Sequence, residues 1–290
     1  MRVAVVGTGR MGAAMVGRIA AAGHDVVVQN RTRARADVVA ARHGLQAVDL
    51  PREAAAGAEV VVVSLADDAA VRAAYGGADG IVAGLGPGAV VADASTVDPA
   101  TVQALASHVA RAGATLVDTP VSGSVSTVEA GELLVMAGGD GAALDRVRPV
   151  LDSLARRVLH LGPLGAGATM KLAVNSVVHA LNEALAEALV LAEKAGVDRS
   201  AAYEVFASSA VAAPFVLYKR AAYEKPDEAP VAFALDLVAK DLDLVADLAR
   251  RVGADMPQLA ANRDVVERAR RAGLGSSDLS ALAELLRGLR

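Results

Sequence analysis

A lysine and an asparagine four residues apart, Lys171 and Asn175, follow three closely spaced glycines, Gly162, Gly165 and Gly167. The apolar residues around the pair predict a long helix that the glycines open, and positions four apart lie on one face of a helix. Burying a lysine among apolar groups costs free energy unless the ammonium group has a partner or a chemical role. An ammonium group held beside a reacting oxygen can stabilise negative charge there and donate a proton.

A purely structural interpretation of this pair stays open. Lys171 could form a buried ion pair with Glu132 or Asp241, and Asn175 could be a packing amide. His179, one helical turn after Asn175, is expected to be a packed or interface residue rather than a catalyst.

A second glycine pattern lies near the N-terminus, between a predicted buried strand and a predicted helix. A Gly-x-Gly-x-x-Gly pattern in this context is typical of dinucleotide-binding turns. The first glycine allows the tight turn, the second lets the backbone approach a pyrophosphate, and the third lets the helix pack on the sheet. N–H groups at the start of the helix then bind phosphate. The alternative is an ordinary glycine-rich turn, formed by the same residues: Gly7, Thr8, Gly9, Arg10, Met11 and Gly12.

The residues after the second predicted strand indicate which dinucleotide is bound. An acidic residue at this place would bind the ribose hydroxyls of NAD. The chain instead has Asn30, Arg31 and Thr32, followed by Arg33. An arginine pairs well with a 2′-phosphate, and the threonine hydroxyl can donate to it. We therefore predict NADP rather than NAD, with a solvated basic loop as the alternative.

Small polar residues follow three further predicted strands, at the edge where parallel sheets bind ligands. Ser122 and Gly123 combine a hydroxyl with unhindered backbone N–H groups, which suits a substrate carboxylate. A plain loop is the alternative there, and Lys240 has the alternative of a surface lysine on an amphipathic helix. The residues predicted to line the ribose and nicotinamide are Ser64, Leu65, Ala66, Ser95 and Thr96.

The order of predicted elements divides the chain into two domains. Alternating strands and helices predict an α/β domain over residues 1–162 with a doubly wound parallel sheet. An all-α domain for substrate binding and dimerisation is predicted over residues 163–290. The predicted strands cover residues 3–6, 25–29, 60–65, 89–93, 115–118, 133–137 and 157–161. The later helices cover residues 168–195, 199–207, 214–222, 234–252, 256–272 and 279–290.

Composition excludes several classes of protein. The 290 residues carry a net charge of −4, which argues against nucleic acid as the main partner. The chain has no cysteine, so disulfides and thiolate chemistry are excluded, and its five scattered histidines show no metal-binding spacing. We expect no metal site. The short N-terminal apolar run and the polar residues within the apolar helix argue against a signal peptide and a membrane span. We therefore expect a cytoplasmic protein.

Four separated motifs together resemble the β-hydroxyacid dehydrogenase family. This family includes 3-hydroxyisobutyrate dehydrogenase, tartronate semialdehyde reductase, glyoxylate/succinic semialdehyde reductases and, more distantly, 6-phosphogluconate dehydrogenase. The motifs occur in the family's order and span essentially the whole chain. They are the N-terminal glycine pattern, residues 118–133, the segment from Gly162 to Asn175, and Lys240 with Asp241.

The resemblance implies a role for each matching residue. Lys171 is the general acid in reduction and the general base in oxidation, while Asn175 orients Lys171 and holds the substrate. Ser122 and Gly123 bind the substrate carboxylate. It further implies that Thr96 lies near nicotinamide and substrate, that Lys240 closes on the cofactor and the bound acid, and that the protein is a homodimer or homotetramer.

Two departures from the family pattern concern the substrate and the cofactor. Gly123 is followed by Ser124 where the family often has a second glycine, and residues 125–128 lack the usual glycine and alanine. The Arg31-Thr32 pair replaces the acidic residue of NAD-using members. Specificity is expected from the few aromatic residues of the helical domain, Phe215, Tyr218, Tyr223 and Phe233.

Two other functions compete with a hydroxyacid dehydrogenase. Imine reductases resemble this family in architecture, but they usually carry another proton donor in place of the lysine. A cofactor-binding protein without turnover is the second alternative. The presence of Lys171, Asn175 and Ser122 argues against it.

Overall fold

The computed structural model describes residues 1–288. They form two compact units, Met1–Lys171 and Leu172–Arg290. The first unit contains a six-stranded parallel sheet in the order β3-β2-β1-β4-β5-β6. Its strands are β1 (Arg2–Val6), β2 (Asp25–Gln29), β3 (Gln46–Val48), β4 (Val60–Val63), β5 (Val90–Asp93) and β6 (Thr115–Asp118).

Helices cover both faces of this sheet, as the doubly wound prediction requires. Successive side chains of a strand point to opposite faces. Val3 and Val5 of β1 pack in one hydrophobic core, and Ala4 and Val6 pack in the other. The helices of this unit are α1 (Arg10–Ala21), α2 (Arg33–His43), α3 (Pro51–Ala55), α4 (Asp68–Tyr75), α5 (Ile81–Gly84), α6 (Pro99–Arg111), α7 (Val125–Ala130) and α8 (Gly141–Leu154).

Three strands that follow β6 form a separate small sheet. They are β7 (Val121–Ser122), β8 (Leu133–Ala137) and β9 (Ala155–His160), with β7 antiparallel and β9 parallel to β8. The sequence analysis placed the last two predicted strands, residues 133–137 and 157–161, in the same parallel sheet as the others. That placement is wrong, because these strands pair in the small sheet. Residues 118–122 instead keep one direction along β8, since Asp118 bridges Gly138, the Met136 N–H donates to Pro120, and Ser122 pairs with Leu134. The chain reverses only after β7, so that β8 returns antiparallel to it.

Within the part that the structure describes, every helix or strand that belongs to the second unit is a helix, and one isolated β-bridge joins Ala234 to Asp278. Helix α9 (Ala166–Lys194) begins in the first unit and continues into the second. The predicted helix over residues 279–290 is interrupted, because Leu279–Ala281 forms a 3₁₀ turn before α14 (Leu282–Arg287). Residues 289 and 290 lie outside the described range. The remaining helices are α10 (Arg199–Ser208), α11 (Pro214–Glu224), α12 (Leu235–Val252) and α13 (Pro257–Arg271).

The seven predicted strands are all present, and five short elements escaped the sequence analysis. These elements, β3, α3, α5, β7 and α7, contain between 2 and 6 residues. Hydrophobic periodicity needs a longer window to separate a helix from a strand. Within residues 1–288 no helix combines the length and apolar character that crossing a bilayer demands.

A buried ion pair joins two distant segments of the second unit. Lys219 on α11 is 3% exposed, and its Nζ lies 2.7 and 2.8 Å from the two carboxylate oxygens of Asp278. Asp278 also accepts hydrogen bonds from the backbone N–H groups of Ala232 and Phe233. Burial raises the pKa of Asp278, but the hydrogen bond and charge of Lys219 outweigh burial and hold this pKa below its usual value.

Replacing Lys219 with methionine should destabilise the protein, because it leaves the Asp278 carboxylate buried without its cation. We expect a loss of roughly 3–5 kcal/mol in the free energy of unfolding at pH 7, measured by denaturant titration. Arg271→Met is the matched control. Arg271 pairs with Glu267 at 3.3 Å on the exposed surface, and its loss should cost about 0–1 kcal/mol.

The difference between Lys219→Met and wild type should depend on pH. A carboxyl group whose pKa is lowered by folding contributes stability above its unfolded pKa, about 3.9 for Asp, and loses that contribution as the pH falls through the folded value. The gap in unfolding free energy should therefore narrow as the pH falls toward 4 and below. A gap that stays constant over this range would contradict the assigned role of Asp278.

Candidate functional site

The glycine turn after β1 lies at the carboxyl edge of the large sheet, between β2 and β4. Gly7 has φ +99°, and a side chain there would overlap the carbonyl oxygen of Ser64. A side chain at Gly12 would overlap the carbonyl oxygen of Gly7. Both glycines are required by close approach of backbone, which is the geometry predicted for a dinucleotide-binding turn.

The start of helix α1 offers polar groups that the chain itself does not use. Gly9 stands at the N-cap position, so no side chain caps the helix, and a side chain built on Gly9 would meet no atom within 4 Å. Within the described part of the chain the buried hydroxyl of Thr8 has no hydrogen-bond partner, and the backbone N–H of Thr8 donates to Asn30 Oδ1 at 3.1 Å. Arg10 is exposed and Met11 is half-buried at the first turn. This set fits the phosphates of a dinucleotide.

The residues after β2 differ in what their side chains already contact. Arg33 pairs with Asp37 and Asp49, each at 2.7 Å. Arg31 is exposed and has no ion-pair or hydrogen-bond partner among residues 1–288. Thr32 stands at the N-cap of α2, but its hydroxyl does not cap that helix. The Arg31 guanidinium is thus available for an external anion, whereas Arg33 is neutralised.

A buried hydrogen-bond network holds the loops that follow β4 and β5. The backbone N–H of Leu65 donates to the hydroxyl of Ser95 at 3.0 Å, and the backbone N–H of Ser95 donates to Asp93 at 2.9 Å. The other oxygen of Asp93 accepts from the Tyr75 hydroxyl at 2.8 Å. Burial raises the pKa of Asp93, and hydrogen bonds from Ser95 oppose that shift.

This network defines the setting of the residues predicted to line a cofactor. Ser95 is buried and supports the neighbouring loop through its hydroxyl. Ser64 and Leu65 are half-buried, Ala66 is exposed, and Thr96 is half-buried just after Ser95. The structure therefore brings the loops after β1, β2, β4 and β5 together at one edge of the sheet.

The predicted carboxylate-binding pair lies in the small sheet. Ser122 ends β7 opposite Leu134, and Gly123 follows with φ +142°. Ser124 then caps helix α7, where its side chain accepts from the backbone N–H of Thr127. The serine that departs from the family pattern thus has a structural role at the start of a helix that the sequence analysis missed.

The segment from Gly162 to Lys171 is tied down by several elements of the first unit. His160 Nε2 lies 3.0 Å from the carbonyl oxygens of Gly139 and Gly162. Gln103 on α6 donates to the carbonyl oxygen of Leu164 at 3.1 Å. The Asp118 carboxylate accepts from backbone N–H groups at the start of α9. Lys171 lies in the second turn of this helix and is half-buried.

A second polar cluster lies within the helical unit. Asn175 is buried, and its Nδ2 donates to Asp241 Oδ2 at 2.6 Å. Lys240 Nζ lies 2.8 Å from the other oxygen of Asp241, and His179 Nε2 lies 3.5 Å from Oδ2. Burial raises the pKa of Asp241, but the close approach of His179 and the charge of Lys240 outweigh burial, so the pKa is lowered. The cluster keeps a buried carboxylate ionised and fixes the Asn175 amide.

The aromatic residues expected to set specificity occupy different environments. Phe215 and Tyr223 are buried in the core of the helical unit, and the Tyr223 hydroxyl bonds to Asn182. Tyr218 is 48% exposed. Phe233 stacks on His179 with ring centroids 5.9 Å apart. Phe233 therefore contacts the cluster around Asp241 through His179.

Three buried carboxylates that organise these sites were not selected as site residues from the sequence. Asp93 and Asp118 end the strands β5 and β6, and Asp241 follows Lys240 on α12. An acidic residue that closes a short apolar strand was the signal available for the first two. Residues 1–288 contain no group of three or more His, Cys, Asp or Glu side chains arranged to hold a metal ion.

Comparison with known proteins places both units in one family. Residues 2–162 match the NAD binding domain of 6-phosphogluconate dehydrogenase, and residues 165–286 match the NAD-binding domain of NADP-dependent 3-hydroxyisobutyrate dehydrogenase. Glyoxylate/succinic semialdehyde reductase 1 of Arabidopsis thaliana is 32% identical over 99% of each chain.

Solved structures agree with this assignment. The 3-hydroxyisobutyrate dehydrogenase of Salmonella typhimurium superposes with a TM-score of 0.91 at 29% identity, over 98% of this chain and 99% of that one. Psf3, solved in complex with NADP+ and 2-OPP, gives a TM-score of 0.89 at 26% identity, over 98% and 99% of the two chains. The chain therefore belongs to the β-hydroxyacid dehydrogenase family of nicotinamide-dependent oxidoreductases.

Proposed function

We propose that this protein is an NADP(H)-dependent oxidoreductase that interconverts a small β-hydroxyacid and its semialdehyde, with Lys171 as the general acid and base. The observation that carries the proposal is the setting of two polar side chains on α9. Lys171 lies in the second turn of a helix whose start is held by the Asp118 carboxylate. Asn175, one turn later, is fixed by Asp241.

Each of these residues has a defined part in the proposed reaction. The nicotinamide, when bound, supplies or accepts the hydride. Lys171 stabilises negative charge on the substrate oxygen and donates a proton to it in reduction, and removes that proton in oxidation. The Asn175 NH2 group is committed to Asp241, which leaves its carbonyl oxygen to accept from an ammonium donor. Ser122 and Gly123 bind the substrate carboxylate, and Thr96 and Lys240 complete the surroundings of substrate and cofactor.

The preference for NADP rests on the contrast between two neighbouring arginines. Arg33 is already paired with two aspartates, while the exposed Arg31 has no such partner in the described residues. A guanidinium group of this kind binds a 2′-phosphate through charge-assisted hydrogen bonds. The NADP-dependent family matched by the helical unit and the NADP+ bound to Psf3 support the same choice.

Replacing Arg31 with aspartate should weaken NADPH binding far more than NADH binding, because only NADPH carries the 2′-phosphate. We expect the Kd for NADPH to rise roughly 10- to 100-fold, measured by fluorescence titration. Arg33→Met removes a guanidinium two residues away that is already neutralised, so it should change the NADPH affinity much less. Equal losses for NADPH and NADH would refute the assignment of Arg31.

Replacing Lys171 with alanine should lower kcat by roughly 10²- to 10⁴-fold while NADPH binding is retained, because the variant loses the proposed proton donor and none of the residues proposed to bind the cofactor. The assay follows nicotinamide absorbance with glyoxylate, succinic semialdehyde, tartronate semialdehyde and methylmalonate semialdehyde, and with 3-hydroxypropionate and serine in the oxidative direction. Lys194→Ala is the control, since Lys194 ends the same helix and donates to the Leu286 carbonyl. Undiminished turnover by Lys171→Ala would refute the catalytic role.

A homodimer or homotetramer is also proposed. Helix α9 carries exposed apolar side chains at a spacing of seven and fourteen residues, Met170 at 42%, Val177 at 67% and Leu191 at 72% exposure. Exposed apolar surface of this kind favours burial against a second copy of the chain. Sedimentation velocity should show a species heavier than the monomer, and a purely monomeric profile at micromolar concentration would contradict the proposal.

A further inference from the structure

The residue just before helix α9 has no side chain that could cap it. The first N–H groups of a helix have no partner within the helix, and a polar side chain at the N-cap usually accepts from the third helical residue. Gly165 stands at the N-cap position of α9 and has no side chain. The N–H groups of Gly165 and Ala168 donate instead to a carboxylate 47 and 50 residues earlier in the chain, that of Asp118.

The position of Asp118 is itself fixed from both sides. Its backbone N–H donates to Gly138 at 3.0 Å, and its carbonyl oxygen accepts from the Gly138 N–H at 2.8 Å. Its side chain is 1% exposed, with Oδ1 2.8 Å from the Gly165 nitrogen and Oδ2 2.6 Å from the Ala168 nitrogen. The end of β6 and the start of α9 are therefore joined through one rigidly held carboxylate.

The packing around this carboxylate leaves no room for adjustment. A Cβ atom at Gly138 would lie 2.5 Å from Asp118 Oδ1, and one at Gly167 would lie 2.9 Å from Oδ2. A Cβ at Gly167 would also overlap the carbonyl oxygen of Met136. Lys171 follows Gly167 by four residues, so it lies on the same face of α9, one turn along. Any shift at Gly167 is thus carried directly to Lys171.

Charge complements this geometry. The start of a helix carries a partial positive charge, which favours a carboxylate there. Burial holds the pKa of Asp118 above its usual value, and the backbone hydrogen bonds from Gly165 and Ala168 reduce that upward shift.

We propose that Asp118 is a positioning residue that sets the location of Lys171 by capping α9 from the end of β6. The inference rests on the proposed function, because it gives Lys171 a reacting oxygen to reach. Asp118 itself acts only through the helix. It follows that a loosened cap should impair the chemical step while leaving cofactor and carboxylate binding in place.

The test is Asp118→Asn, which keeps the size of the side chain and removes its charge. One of the two N–H groups then faces an NH2 donor instead of an acceptor. We expect kcat to fall roughly 10- to 100-fold, as a displacement of about 1 Å in a catalytic group does. The KM for the semialdehyde and the Kd for NADPH should be unchanged. Amide hydrogen exchange should accelerate at residues 165–171.

Asp140→Ala is the matched control, because Asp140 caps α8 of the same unit by accepting from Ala143 at 2.9 Å. This variant should accelerate exchange at the start of α8 and leave kcat unchanged. Gly167→Ala keeps Asp118 but displaces α9 through the overlap with Met136, and it should reproduce the loss in kcat. It decides the question if Asp118→Asn does not fold.

The outcomes separate this inference from the proposed function. An active wild type with an unchanged kcat in folded Asp118→Asn, or a kcat lost only together with NADPH affinity, would overturn the positioning role. Absence of turnover by wild type with every substrate would refute the proposed function instead. In that case the rate of amide hydrogen exchange at residues 165–171 would test on its own whether Asp118 holds the start of α9. An unchanged rate in Asp118→Asn would overturn the positioning role.

Discussion

The site depends on the first backbone N–H groups of two helices, which have no acceptor within their own helix. Each of these helices has glycine at its N-cap, Gly9 before α1 and Gly165 before α9, so neither can cap itself. At α9 the protein supplies the missing acceptor through Asp118. At α1 no side chain of residues 1–288 caps the helix. The N–H groups at the start of α9 thus fix that helix in place, whereas those at the start of α1 remain available to bind phosphate.

Two further buried carboxylates, those of Asp93 and Asp241, fix groups next to the proposed site residues. Asp93 binds the backbone of Ser95, whose hydroxyl in turn holds Leu65. Asp241 fixes Asn175 and lies beside Lys240. Burying a charge without partners is costly, so each carboxylate is surrounded by donors, and those donors are held in return. Residues proposed to contact cofactor or substrate therefore have neighbours with little freedom to move.

Much of the fold and part of the site were predictable from local patterns. Valine-rich runs such as 60–63 identified buried parallel strands, and long apolar periodicity identified α9 and α12. The separate small sheet was not predictable, because β7 has two residues and β8 pairs with it in the opposite direction. The role of Ser124 as a helix cap was also not predictable from the sequence. It depends on helix α7, which is too short for periodicity to reveal.

The sequence alone determined the two-part architecture, the dinucleotide turn from Gly7 to Gly12 and the pairing of Lys171 with Asn175 on one helix. These features are local, since they follow from residue types within a few turns or one strand of each other. Only the tertiary structure decided that Arg31 has no ion-pair partner within residues 1–288 while Arg33 is neutralised, and that Asp118 reaches α9. The partners in those contacts come from distant segments. Which donors meet a buried carboxylate depends on how strands and helices pack, and no spacing along the chain encodes it.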